Sequence, residues 1–167
     1  ISGVLDGVRL INLYVPNGSS IGSEKYDYKL RWLDALHEAV RTEAERHARL
    51  VLLGDFNIAP ADEDVHDPER WQGSVLVSDA ERERYRRIVA AGFTDVFRLF
   101  DQPPATFSWW DYRAAGFRRN AGLRIDLILA TDALARRCCA CTIDNNPRAL
   151  ERPSDHAPVL AQFRGAD

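Results

Sequence analysis

Three aspartates stand where apolar runs end or are interrupted. Asp55 follows Val51-Leu52-Leu53-Gly54, Asp126 interrupts the run from Leu123 to Leu129, and Asp155 precedes a final apolar stretch with His156 beside it. A carboxylate in or next to a buried strand is costly unless a cation, a hydrogen bond or an ion pair compensates it. Ligand sites of α/β sheets gather where strands end. Three carboxylates, the amide of Asn57 and one imidazole converging there suit Mg²⁺ and a phosphate substrate. Hard oxygens hold the ion, and an aspartate or histidine handles the proton.

Each residue also has a purely structural reading. Asp55 suits a helix cap or an Asx-turn, and Asn57 a turn amide. Asp126 has the weakest such alternative, a buried ion pair with Arg124 or another arginine. Asp155 and His156 fit a loop turn after Ser154. Tyr14, at a strand end, reads on its own as core or rim, and Trp109-Trp110 as core packing. The set is more informative than any member.

The elements that must position these residues follow from periodicity. Gly7–Tyr14 alternates branched and polar residues and stops at Pro16-Asn17-Gly18, a strand entering a turn. Ser23 is placed to cap a long helix whose stripe is Tyr26, Leu30, Leu33, Leu36 and Val40. Leu50–Leu53 is wholly apolar, as in a strand buried on both faces. The acidic stretch 61–72 reads as a loop, and Asp79 begins a second helix that Gly92 ends. An aromatic, arginine-rich segment spans 103–122. A strand over 123–130, a helical turn, a strand near 139–143 and a last strand over 157–163 complete one α/β unit.

Composition bounds the function classes. The 167 residues are 46% hydrophobic and 28% charged, enough for one domain with a core. No apolar run is long enough to cross a membrane, and no segment resembles a signal peptide. Cys138, Cys139 and Cys141 cannot all pair and are poorly spaced for zinc, which fits a reduced, cytoplasmic setting. The net charge of −3 argues against a general nucleic-acid coat. Residues 102–167 nevertheless carry nine basic against seven acidic groups, with Arg113, Arg118, Arg119 and Arg124 facing only Asp111 between Trp109 and Arg124. Only Lys25 and Lys29 are lysines. Arginine forks suit phosphate, although GC-rich coding also enriches arginine.

Five segments together resemble the endonuclease/exonuclease/phosphatase superfamily, in particular its exonuclease III branch of abasic-site endonucleases. They are NLYVPNG at 12–18, GDFNIAP at 54–60, FSWWDYR at 107–113, GFRRNAGLRIDLIL at 116–129 and PSDHAPV at 153–159. The resemblance runs from about residue 7 to 164. It implies a four-layer sandwich of two packed mixed β-sheets flanked by helices. It implies hydrolysis of DNA at abasic sites with 3′-5′ exonuclease activity, dependent on Mg²⁺ with Mn²⁺ as a substitute. The partner is double-stranded DNA bearing abasic sites or 3′ ends, and the complete protein is expected to be monomeric.

By the same resemblance Tyr14 contacts the scissile phosphate, Asp55 activates water, and Asn57 positions it and binds phosphate. Asp126 orients His156, and Asp155 is a metal carboxylate. Trp109 lines a pocket for an extruded sugar. Among the nearby basic residues Arg113, Arg118 and Arg119 are the expected phosphate contacts, and Asn120 is expected on the substrate beside them. The family pattern also contains a preceding third with a metal-binding glutamate that has no counterpart here. The chain therefore reads as an N-terminally incomplete catalytic domain over 1–167. In isolation it is expected to be aggregation-prone or partly unfolded, to bind metal weakly and to show at most trace cleavage, with Leu10 and Leu52 lacking partners. The competing readings are a lipid or inositol phosphatase, which segment 107–124 disfavours, and a non-catalytic DNA-binding fragment.

Overall fold

The computed structural model describes residues 1–165. An Asp6-Gly7 turn joins β1 (Ser2–Leu5) to β2 (Val8–Tyr14), with φ of 49° and 72°, the left-handed pair that a two-residue hairpin demands. Alternation places the start of this strand at Gly7 and gives no sign of β1, so the hairpin is a finding of the structure. Helix α1 (Glu24–Arg46) is capped by the Ser23 hydroxyl, which accepts from Tyr26 N, as its spacing predicted. The helix is the crossover to β3 (Leu50–Asp55), which lies parallel to β2.

Residues 61–72 are not a plain loop. They hold a 3-10 turn over Asp62–Asp64 and a short helix α2 (Pro68–Trp71), whose first turn the Asp67 carboxylate caps. Helix α3 (Asp79–Ala90) begins in a Ser78/Glu81 capping box and ends before Gly92, which has φ +107°. A three-residue strand β4 (Phe93–Asp95), too short to show a period, then forms the sheet edge. Strand β5 (Asp126–Thr131) begins at Asp126 and not at 123. Leu123 instead bridges to Trp109 and Val65. A short helix α4 (Asp132–Ala135) leads to β6 (Cys138–Ile143), and β7 (Val159–Phe163) starts two residues later than expected.

The large sheet has the order β1-β2-β3-β5-β4, and β6 and β7 form a separate antiparallel pair. On one face of the large sheet Leu50, Leu52, Leu127 and Leu129 pack with Leu33 and Val40 of α1 and Tyr85 and Ile88 of α3. On the other, Val51, Ile128 and Ala130 meet Cys141, Val159, Ala161 and Phe163 of the small sheet. Alternation along each strand produces this division. Leu52, expected to lack partners, is therefore fully buried, while Leu10 is half-buried.

Three of the expected four layers are present: helices, large sheet and small sheet. The outer face of the small sheet presents Cys139, Thr142, Leu160 and Gln162 to solvent. All three cysteines are unpaired. Among the described residues no helix is long and apolar enough to cross a membrane.

Candidate active site

Strand register assembles the first half of the site. Tyr14 pairs with Asp55 across β2 and β3, and Asp55 with Asp126 across β3 and β5. The three side chains lie on one face of the sheet, in phase with Val51, Leu53 and Ile128, which pack toward the small sheet. Tyr14 is 66% exposed at the end of this row. Gly54 permits the arrangement: its φ is +127°, and a Cβ there would lie 2.0 Å from Leu13 O. The glycine of the GDFN segment is thus required by the close approach of β2.

After Asp55 the chain turns sharply, with Asn57 at φ +49°. The Asp55 carboxylate accepts Asn57 N at 2.8 Å and Asn57 Nδ2 at 2.9 Å, so the Asx-turn reading is correct as far as it goes. Asn57 Nδ2 also donates to Val15 O, and its Oδ1 accepts from Asn17 Nδ2. Asn57 is 3% exposed. Its amide is bonded to Asp55, Val15 O and Asn17, which fixes the Asp55 carboxylate. Burial pushes the Asp55 carboxyl up to about 6, and the facing Asp126 adds to it.

The second half of the site is joined by the segment around Trp109. Trp109 exchanges backbone hydrogen bonds with Leu123, Trp110 N donates to Asp155 O, and Ala157 N donates to Ser108 O. This short stretch ties the chain before β5 to the chain before β7 and brings His156 to Asp126. His156 Nδ1 lies 2.9 Å from Asp126 Oδ2. Burial alone would lower the imidazole pKa, but the hydrogen bond and charge of Asp126 outweigh it and raise it.

Ser108, which carried no signal in the sequence beyond its place in FSWWDYR, donates to Asp126 Oδ2 at 2.7 Å. Its oxygen accepts Ile125 N and Asp126 N. The ion pair offered as the structural alternative for Asp126 does not form. Arg124 is buried and bonds Asp64 and Asp95 instead.

Residues expected on the substrate divide into two groups. Arg118 and Arg119 are exposed. Trp109 is partly buried, and its Nε1 donates to Asp155 Oδ2 at 3.0 Å. Trp109, Arg119, Arg70 and His66 line one cavity of about 400 Å³. Arg113 faces solvent but is paired bidentately with Asp111. Asn120 accepts from Trp110 Nε1 and donates to Ala105 O, so its amide holds the loop together. Trp110 itself is core, as its structural reading had it. Arg148, unremarked in the sequence, lies over the rings of Trp110, Tyr112 and Phe117 and donates to Ser154 O, anchoring the loop before Asp155.

Residues 3–156 match the endonuclease/exonuclease/phosphatase family. The chain belongs to that family. Among curated family relatives it is 38% identical to exodeoxyribonuclease III of Haemophilus influenzae over 164 residues, covering 93% of this chain and 61% of the relative. It is 33% identical to an exodeoxyribonuclease of Bacillus subtilis, covering 92% of this chain and 59% of that one. A solved 3′ phosphatase from Neisseria, bound to a product DNA hairpin, superposes with a TM-score of 0.95 at 47% identity, covering 98% of this chain and 63% of that one. An AP endonuclease from Archaeoglobus fulgidus gives a TM-score of 0.90 at 41% identity, over 94% of this chain and 62% of that one. The chain spans about three-fifths of the length of these family members.

The donor set of this family member does not by itself fit a metal ion. Asp155 is engaged by the Trp109 indole, Asp126 by His156 and Ser108, and Asp55 by Asn57. Among the described residues no three His, Cys, Asp or Glu side chains stand close enough to share a cation.

Proposed function

We propose that the chain is the catalytic part of a DNA-repair phosphodiesterase that cleaves DNA at abasic sites and removes nucleotides or phosphate from 3′ ends. The row Tyr14, Asp55, Asp126 with His156 bonded behind it carries this reading. It places a desolvated carboxylate and a carboxylate-oriented imidazole at adjacent strand ends, the pairing that general base and phosphate stabilisation require. The names of the relatives support DNA as the substrate. Exposed Arg118 and Arg119 near the Trp109 cavity supply phosphate donors and a stacking face.

In this reading Asp55, ionised, takes a proton from water as the water oxygen bonds to phosphorus. The phosphorus–oxygen bond to the leaving sugar breaks, and the departing sugar oxygen takes up a proton from solvent water. The Asn57 amide keeps the carboxylate aimed. Asp126 accepts from His156 Nδ1–H and its charge favours the protonated imidazolium, whose Nε2–H bonds a phosphoryl oxygen as charge develops. Tyr14 adds a hydroxyl at the exposed end of the row. Magnesium, or manganese in its place, is the ion the resemblance implies. Asp155 is its one candidate ligand here.

The test is cleavage of a duplex with one abasic site by full-length protein. Asp55→Asn is expected to abolish turnover with little loss of DNA affinity. Retention of more than about a tenth of wild-type turnover would show that Asp55 is not the base.

A further inference from the structure

Lys29 lies in α1 with its side chain fully buried, a rare setting for lysine unless its charge is paired and its protons are placed. An ammonium offers three donors. Here each has an acceptor: Glu81 Oε1 of α3 at 2.5 Å, Asn57 O at 2.7 Å and Asn17 O at 3.1 Å. The two carbonyls belong to the segments leaving β2 and β3, the strands that carry Tyr14 and Asp55.

Glu81 is equally satisfied, accepting Leu76 N, Ser78 N and the Ser78 hydroxyl. The Tyr26 hydroxyl closes the network at 2.6 Å from Ser78 Oγ. One buried polar system therefore links both helices to the left-handed turn at Asn57. The mechanism above makes no use of it.

We infer that the Lys29–Glu81 pair positions the reacting carboxylate: Lys29 clamps the carbonyls of Asn17 and Asn57 and so fixes the Asn57 amide that aims Asp55. Lys29 is a positioning residue and touches neither water nor phosphate. This deepens the reading of Asp55 as the base and rests on it. An apolar side chain of similar length fills the same space but leaves both carbonyls without a donor, free to turn. The charge of Lys29 also favours the ionised form of Asp55.

The experiment compares full-length wild type with Lys29→Met and with Lys29→Met/Glu81→Gln. The double variant removes both charges, so no buried charge is left unpaired. Melting, KM and kcat on an abasic duplex, and the ¹⁵N resonance of the Asn57 side-chain amide are measured on each. The double variant is expected to melt cooperatively and keep KM within about threefold. Its kcat should fall ~10²-fold, as a small misplacement of a reacting group does, and its Asn57 amide resonance should shift.

A folded double variant with wild-type kcat, or with an unmoved Asn57 resonance, overturns the inference. If neither variant folds, the Lys29 ammonium is followed in ¹⁵N-lysine protein, where its full burial and three acceptors slow its proton exchange. Its resonance should then shift in Asp55→Asn, and an unchanged signal overturns the inference. If wild type cleaves no DNA, the proposed function fails, while the two resonance measurements still decide whether Lys29 holds the turn.

Discussion

Asp55 pays for its role in stability. Its carboxyl is raised from 3.8 to about 6 by burial and by Asp126, which corresponds to ~3 kcal/mol against the ionised form. The folded state holds this proton more tightly than the unfolded state. The contribution is therefore present below about pH 4, declines as pH rises toward about 6, and is gone above it. Asp55→Asn should remove that dependence: the Tm of the variant relative to wild type should climb between pH 4 and pH 7 and then level off. A constant difference across that range, by calorimetry, would refute the electrostatic account. Catalysis runs the other way, since the base must be ionised, and kcat/KM should fall as pH drops through about 6.

At Asp126 and His156, Asn substitutions should each be severe and the double variant little worse, because bonded partners act as a unit. Additive losses in a kinetic cycle would mean that they work separately. Arg119→Ala should lower the salt dependence of DNA binding by roughly one charge. Arg113→Ala should lower it by less than half as much, because Asp111 already holds that guanidinium. Equal slopes in a salt titration would show that the Asp111 pair opens on DNA. The aspartates and histidine were legible from residue type and position. Ser108, Arg148 and the clamp on Asn57 were not, because each acts through a partner distant in sequence that only register or loop geometry brings near.

Gly54 sets how closely β2 approaches β3. Any side chain there meets Leu13 O and strains a φ of +127°. Gly54→Ala should therefore destabilise the protein by at least ~3 kcal/mol and disturb the Tyr14–Asp55 pairing, with denaturant unfolding as the measure. A variant as stable as wild type would mean that the strands separate freely. The long elements were readable: α1 by period and cap, α3 by the stretch between Asp79 and Gly92, β3 and β5 by apolar runs. The misses have local causes. The Asp6-Gly7 turn is a good hairpin signal, but the four residues before it are too few to show alternation. Strand β4 is three residues long, and α2 is a single turn inside an acidic stretch. The run over 123–130 is continuous in hydropathy, yet Trp109 and Val65 bridge to Leu123 before the ladder with β3 begins.

The whole molecule divides its labour between two faces of one sheet. Helices seal one side into a continuous core, and the small sheet packs with residues of β2, β3 and β5 on the other. This arrangement predicts a stable scaffold with a weak ion site. Calorimetric titration of residues 1–167 should show a cooperative melt but Mg²⁺ binding no tighter than millimolar, since no three ligands converge. Micromolar binding would show that the carboxylates rearrange to form a site.

Strand β1 pairs with β2 on one side only, and Val4 and Leu5 are 61% and 63% exposed. Among residues 1–5 no charged side chain interrupts its outer row of amides and carbonyls. Such an edge is a template for a foreign strand. At high concentration, then, these residues would recruit like segments edge to edge, and growth would show a lag that seeds abolish. A lysine at Val4 should lengthen that lag without touching turnover, because the seam lies at the sheet margin and the chemistry at the strand ends.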